Sequence, residues 1–449
     1  MFFTPPELSW LETILGDRFG HEFNLISSNK LISLRLVGNA GEIVFDRSDK
    51  AFHHSASDFN CYHWQASKEG FAAPISPMLY APGSNALVDP LIEYESNRIM
   101  IHYDILGLVY WMLSRLEEVG RKDLDQHQRF PATSSHAFKH KYLDRPIVDE
   151  WLHILGQIIK RQWPGISLKE HFFEMKVSHD VDWPSRYGFS SIGRMVRLMA
   201  GDVLKRQSIK QATMGPLIRI RTKKQLLSSD PFNTFDFIMS QSEELGLASA
   251  FNFICGKTDN LRDAEYVPEH PAIRELMRRI HARGHEIGLH PSYNTYLYPD
   301  LISSESKRLR KVMSEERIRQ KSIGSRMHFL RWSHPVTLAG LEEAGMHYDS
   351  SLSYADMAGF RCGTCHDYRA FNPVEQVQYN IKIRPLIAME CSVMSTAYMG
   401  LGTSEAAFEY FYKLKENCRK VGGNFTLLWH NSQLLNLDEI NLYKKIIKS

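Results

Sequence analysis

Asp180 and Asp182, two positions apart in the run Ser178-His179-Asp180-Val181-Asp182, are the first residues that invite a chemical reading. In extended chain their carboxylates project to one side, while His179 and Val181 point to the other. Two carboxylates held close repel unless a cation or a shared proton intervenes, so the pair suits a hard-metal or acid/base site, one oxygen donor on the ion and the other free as a base. The same pair could instead cap a following helix or bind loop amides. A second run, Gly284-His285-Glu286-Ile287-Gly288-Leu289-His290-Pro291-Ser292-Tyr293-Asn294, fails the metalloprotease helix pattern. Its histidines are five apart rather than four, and the glycine and proline predict a strand followed by a turn. His290, at the strand end, is the candidate ligand; His285 begins the strand and reads as structural. His430 closes the apolar run Phe425-Thr426-Leu427-Leu428-Trp429-His430-Asn431. An imidazole there, titrating near an unperturbed value of about 6.5, suits a general acid toward a leaving amine, or else a buried hydrogen-bonded histidine. Arg331 is placed to orient a base or to pair with a carboxylate at the rim.

Elements that would position these groups follow from the apolar pattern. From about residue 172 short apolar runs alternate with helical segments, the signal of βα units on a parallel sheet. Seven strands are predicted: Phe172 to Ser178, Ala250 to Cys255, His285 to His290, Met327 to Arg331, Tyr348 to Leu352, Pro385 to Cys391 and Asn424 to His430. A seven-stranded, incomplete relative of the (β/α)8 barrel closes them, and in such barrels reactive groups gather at strand carboxyl ends. Asp180, Asp182, His290, Arg331 and His430 all fall there. Upstream, residues 1 to about 110 predict a small α/β or mostly β unit, followed by a buried helix over 103–119 and another near Ile147 to Trp163. The expected division is an N-terminal domain over 1–165 and a barrel over 172–449, with a basic insertion at about 186–230.

Composition narrows the class. With 43% hydrophobic and 23% charged residues in 449, the chain can bury the cores of two domains. A formal charge of +3 is too mild for a nucleic-acid partner. The opening Met1-Phe2-Phe3-Thr4-Pro5-Pro6-Glu7 lacks a basic leader and an apolar run, and no apolar stretch approaches membrane-spanning length, so a cytoplasmic location is expected. Six cysteines are too few for a disulfide scaffold, and the lone Cys362-Gly363-Thr364-Cys365 is weak evidence for zinc or redox chemistry. From Arg186 to Lys224 there are ten Lys or Arg and one acidic residue, Asp202, interleaved with Met195, Val196, Leu198, Met199, Val203 and Leu204. That pattern fits a basic amphipathic helix at an anionic membrane, a solvated cover helix or a site for acidic polysaccharide.

Taken together, Asp180 and Asp182, His290, Arg331 with Trp332 and Pro335, and His430 resemble the motifs of the polysaccharide deacetylase superfamily, the nodulation-type chitooligosaccharide deacetylase domain of carbohydrate esterase family four. Ser178-His179-Asp180-Val181-Asp182, Gly288-Leu289-His290-Pro291-Ser292-Tyr293, Gly359-Phe360-Arg361-Cys362-Gly363-Thr364 and Leu428-Trp429-His430-Asn431 resemble the branch found among bacterial surface-polysaccharide biosynthesis proteins. So do the upstream segments around Asp104, Ser114 to Glu118, His127 to Pro131 and Arg145 to Trp151, which resemble its accompanying N-terminal domain. The resemblance implies a divalent ion, zinc, bound by Asp182 and His290, with Asp180 as base, His430 as acid, and Trp332, Tyr293, Arg361 and Asn431 toward the substrate. The reaction implied is removal of acetyl groups, chiefly N-acetyl, from a sugar in surface-glycan synthesis; the alternative is a catalytically inactive barrel that binds or assembles glycan. Two departures stand. Valine separates the aspartates, so base and ligand can exchange or share roles, and Asn294 occupies the place of a second metal histidine, leaving His179, Asp180 or Asn294 as the third donor, or the metal weakly held or absent.

Overall fold

The computed structural model describes residues 3–28, 31–204 and 209–449. The first part of the chain builds a five-stranded sheet in the order β1 (Phe23–Ser28), β2 (Leu31–Leu36), β3 (Glu42–Phe45), β7 (Arg98–Ile101), β6 (Ile92–Tyr94), antiparallel except where β3 runs parallel to β7. A small hairpin, β4 (Cys61–Gln65) with β5 (Met78–Pro82), lies outside it. The expected apolar helix spans Ile105–Leu113, and all nine of its residues are buried. Asp104 caps it by accepting from the Gly107 amide, and burial pushes that carboxyl up to about 7. The second helix runs Ile147–Gln162, its apolar face turned inward.

A curled sheet of nine strands carries the rest: β13 (Tyr368–Asn372), β14 (Val377–Ile383), β12 (Tyr348–Asp349), β11 (Gly324–Ser325), β10 (Glu286–His290), β9 (Ala250–Ile254), β8 (Glu174–Val181), β16 (Asn424–Leu428) and β15 (Ala388–Met389). All neighbours are parallel except the edge pair β13 and β14. The two ends of this sheet meet on one segment. β14 pairs with β12, its continuation donates from Arg384 and Leu386 to Asp349 and Leu352, and β15 then pairs with β16. The sheet therefore curls into a half-barrel whose floor is apolar, with Val177, Phe251, Phe253, Leu289 and Leu427 buried.

Several strands are shorter than the apolar runs suggest. Met327–Arg331 is no strand: β11 ends at Ser325, and the chain turns through Phe329 and Leu330 at φ 61° and 57°. Pro385 has no N–H for a ladder, and the run to Cys391 becomes two strand residues followed by a helical turn, Glu390–Met394. The β13–β14 hairpin was not expected at all.

One apolar cluster runs through both sheets, with Trp10, Trp111, Trp151 and Trp429 fully buried. Polar clamps join the two parts. Arg361 donates to Glu118 at 2.9 and 2.5 Å and to the Ser353 carbonyl at 2.7 Å, and Arg115 approaches the same carboxylate at 2.8 Å. Burial alone would raise Glu118, but Arg361 and Arg115 hold it down to about 2. Arg361, expected to face substrate, is thus a buried clamp. The cysteine loop beside it serves the same joint. Val148 donates to the Gly363 carbonyl, and Asp149 accepts from the Thr364 hydroxyl and the Cys365 amide. Gly363 sits at φ 65°, where a Cβ would approach Met112 Cε at 2.7 Å. Among the described residues no helix is long and apolar enough to cross a membrane.

Replacing Arg361 with alanine leaves Glu118 charged and buried with one cation fewer. Chemical denaturation is expected to show a loss of about 3–5 kcal/mol; a loss below about 1 kcal/mol contradicts the clamp.

Candidate metal and acid–base site

β8 delivers its alternating side chains as the spacing predicts. Asp180 and Asp182 reach the floor of a cavity of about 670 Å³, and His179 turns the other way. His179 Nδ1 meets the Trp429 carbonyl at 2.6 Å, its ring packs on Phe251, and burial pulls its basicity down to about 3. It stands outside the group formed by Asp182 and His290. Nor does Asn294 face the carboxylates: its amide donates to the Thr258 carbonyl, and its oxygen accepts from Arg331.

The residue that stands with Asp182 and His290 and could supply a third donor is His328, which the sequence pattern did not single out. His290 Nε2 lies 3.3 Å and His328 Nε2 3.8 Å from the same oxygen, Asp182 Oδ1. These three residues form a group able to hold a metal ion, and Asp182 Oδ1 is a shielded atom without a hydrogen-bond partner. The other ring nitrogens are fixed. His290 Nδ1 is bonded to the Arg326 carbonyl and His328 Nδ1 lies 2.9 Å from Asp263 Oδ1, so each ring presents Nε2 to Asp182. Two imidazoles and one carboxylate converging on a point beside an open cavity match the donor chemistry of a zinc site.

Asp180 is held differently. Its Oδ1 accepts from Arg326 Nη1 at 3.0 Å and Asn252 Nδ2 at 2.8 Å, and its Oδ2 faces His290 Nε2 at 3.7 Å. Burial would raise the carboxyl, but Arg326, then His290 and His430, bring it below the usual range. Arg326 is fully buried and also donates to Ser178, Ser350 and the Ser350 carbonyl. Gly288 makes room here: a Cβ on it would stand 2.1 Å from Asn252 Oδ1.

His430 completes the cluster, its Nε2 3.6 Å from Asp182 Oδ2. Its Nδ1 lies 2.5 Å from Glu390 Oε1, and Glu390 is buried on the helical turn after β15. Burial disfavours the imidazolium, yet the Glu390 carboxylate outweighs it and raises His430 well above the ordinary value. His290 is raised too, against burial, by Asp180 and Asp182. The floor therefore demands positive charge, which protons or a cation can supply.

The remaining expected site residues lie elsewhere. Arg331 does not orient Asp180; it is sandwiched over the rings of Tyr293 and Tyr296 at 3.9 Å and donates to the His127 carbonyl. Tyr293 bonds His127 through its hydroxyl, Trp332 packs on His334, and Asn431 clamps the Trp183 and Phe232 carbonyls. None of these, nor Arg361, lines the cavity. Its walls come instead from Ser395, Thr396, Gln433 and Asn436 among polar groups and from Met389, Met394 and Leu428 among apolar ones. Arg129 reaches it from the N-terminal part, bonded to Asp125 and to the Phe329 carbonyl next to His328.

Fold and site together define a mixed α/β protein whose curled parallel sheet carries a carboxylate–imidazole cluster at its strand ends. Residues 4–164 match the model of a family of unknown function, DUF7033. No curated protein matches the chain. Among solved structures, it is similar to a protein assigned as a polysaccharide deacetylase from Mycobacterium smegmatis, with 17% identity, 63% of this chain and 85% of that one covered, and a TM-score of 0.38. It is also similar to Puue allantoinase, with 14% identity, coverage of 64% and 85%, and a TM-score of 0.38. A third, assigned as a polysaccharide deacetylase from Pseudomonas aeruginosa PAO1, has 14% identity, coverage of 64% and 86%, and a TM-score of 0.36.

The Glu390–His430 pair yields a pH signature. Because the folded value lies above the unfolded one, the pair stabilises the protein fully below about pH 6.5, and that contribution fades as pH rises through the folded value. In metal-free protein, NMR titration of His430 is expected well above about 6.5 for wild type and much lower for Glu390→Gln. Equal titration in both would contradict the assignment.

Proposed function

We propose that the chain is a metal-dependent hydrolase that removes acetyl groups, chiefly N-acetyl, from a sugar. The convergence of Asp182, His290 and His328 beside an independently held Asp180 and an independently held His430 carries this reading. Asp182, His290 and His328 would hold a divalent ion, zinc by its donor set, which when bound supplies polarisation of an acyl carbonyl and a ready water. Asp180 is the base: Arg326 and Asn252 occupy Oδ1 and leave Oδ2 to take the proton of the attacking water. His430, kept protonated by Glu390, gives its Nε2 proton to the departing nitrogen as the C–N bond breaks, so acetate and a free amino sugar leave. Asp180 as base and Asp182 as ligand is the assignment favoured for the separated aspartates, because of the two only Asp182 faces both His290 and His328.

Polar cavity walls with an apolar strip suit a sugar ring, which offers hydroxyls at its edge and C–H groups on its faces. A role in surface-glycan synthesis rests on the motif resemblance alone. Asn294 turns away from the carboxylates, as an inactive barrel would allow, but His328 stands where it could supply a third donor, which favours the active reading.

Acetate release from N-acetylated sugar oligomers by zinc-loaded protein tests the proposal. Wild type is expected to release acetate, and Asp180→Asn to lose about 10²–10⁴-fold in rate while keeping its metal. No release by metal-loaded wild type from N- or O-acetylated sugars would overturn it.

A further inference from the structure

The stretch between β8 and β9 folds into two packed helices, Ile192–Leu204 and Ile209–Arg221, rooted at the end of β8 that bears Asp180 and Asp182. Their inner side is already satisfied. Met195, Ile218 and Tyr187 form a separate small core with Leu198, Met199 and Met214 packed on it, and Gly215 lets the helices close, since a Cβ there would stand 2.9 Å from Met199 Sδ. Asp202, the only acidic residue from 186 to 224, is fully buried and spent on Arg186, 2.8 Å away.

What remains outside is apolar and cationic. Ile192, Val196, Val203 and Leu204 on the first helix are 66%, 55%, 41% and 79% exposed, and Leu217 and Ile220 on the second 45% and 64%. Positions 192, 196 and 203 follow the helical repeat, so they share one face. Single exposed apolar residues are ordinary, but six on one hairpin with a satisfied core are not explained by folding. Arg197, Arg221, Lys223 and Lys224 are exposed among them, with no acidic side chain of the hairpin at the surface. A second copy would set cation against cation and so accounts for the apolar groups alone. An anionic bilayer accounts for both, because its headgroups attract the cations while its interface takes the apolar side chains.

We propose that this hairpin docks the protein on an anionic lipid surface, with the apolar side chains entering the interface and the cavity end of the sheet turned to the same side. The proposal stands apart from the hydrolase reading, and its test uses no activity.

Flotation of the full chain with vesicles measures it directly. Wild type is expected to float with vesicles of equal phosphatidylcholine and phosphatidylglycerol, to stay behind with phosphatidylcholine alone, and to be released by salt. Combined R197E, R221E, K223E and K224E is expected to weaken partition about fivefold for each cation removed. V196D with I220D is expected to abolish it, and L204D alone, at the most exposed position, to weaken it if the double variant fails to keep the wild-type melting temperature. Wild type that ignores anionic vesicles, variants that float as wild type does, or equal flotation with phosphatidylcholine alone would each overturn the proposal. So would light scattering that shows a dimer dissolved by V196D with I220D, which assigns the face to a second copy.

Discussion

Two carboxylates two residues apart on one strand cannot both stay ionised at the floor of a protein cavity without positive charge close by. Much of the structure around β8 is arranged to supply it. Asp180 is given a permanent cation, Arg326, which is itself held by two serine hydroxyls and a carbonyl and so cannot swing away. Asp182 is given imidazoles, whose charge is removable, and one of its oxygens is left without a hydrogen bond. That asymmetry separates the two roles. A carboxylate bound to arginine keeps a free oxygen and a low affinity for protons; a carboxylate ringed by imidazoles can exchange their protons for a metal ion.

The N-terminal part is more than a companion to this arrangement. It shares one apolar core with the curled sheet, and Arg115, Asp149 and Glu118 anchor the loop from Gly359 to Cys365. On the other side Arg129 bonds the carbonyl of Phe329, a residue held at positive φ directly after His328. The turn that aims the third donor is therefore braced from outside the sheet that carries the other two. Such backbone persists only where its surroundings over-determine it.

Alternation made β8 legible: two carboxylates one way and His179 the other, as extended chain requires. His290 and His430 were equally readable, since each closes an apolar run flanked by a turn. The buried helix at Ile105–Leu113 announced itself by a lack of any polar face. His328 did not, because Met327 to Arg331 looks like a strand end, and only the left-handed backbone of Phe329 and Leu330 shows that β11 has stopped two residues before Met327. The cue was present in Arg326-Met327-His328, where polar and apolar residues alternate up to a histidine. Motif likeness drew Arg331 toward the base and Trp332, Tyr293, Arg361 and Asn431 toward the substrate, but hydrogen-bond partners far apart in sequence decide where such side chains go, and no local pattern encodes them.

On this geometry His328, rather than Asn294 or His179, is the residue that would complete a metal site with Asp182 and His290. Metal content after zinc loading and removal of excess, by elemental analysis of wild type, His328→Gln and Asn294→Ala, tests it most directly. About one ion per chain is expected in wild type and Asn294→Ala, and loss of stoichiometric metal in His328→Gln. Full occupancy in His328→Gln, or its loss in Asn294→Ala, would contradict it.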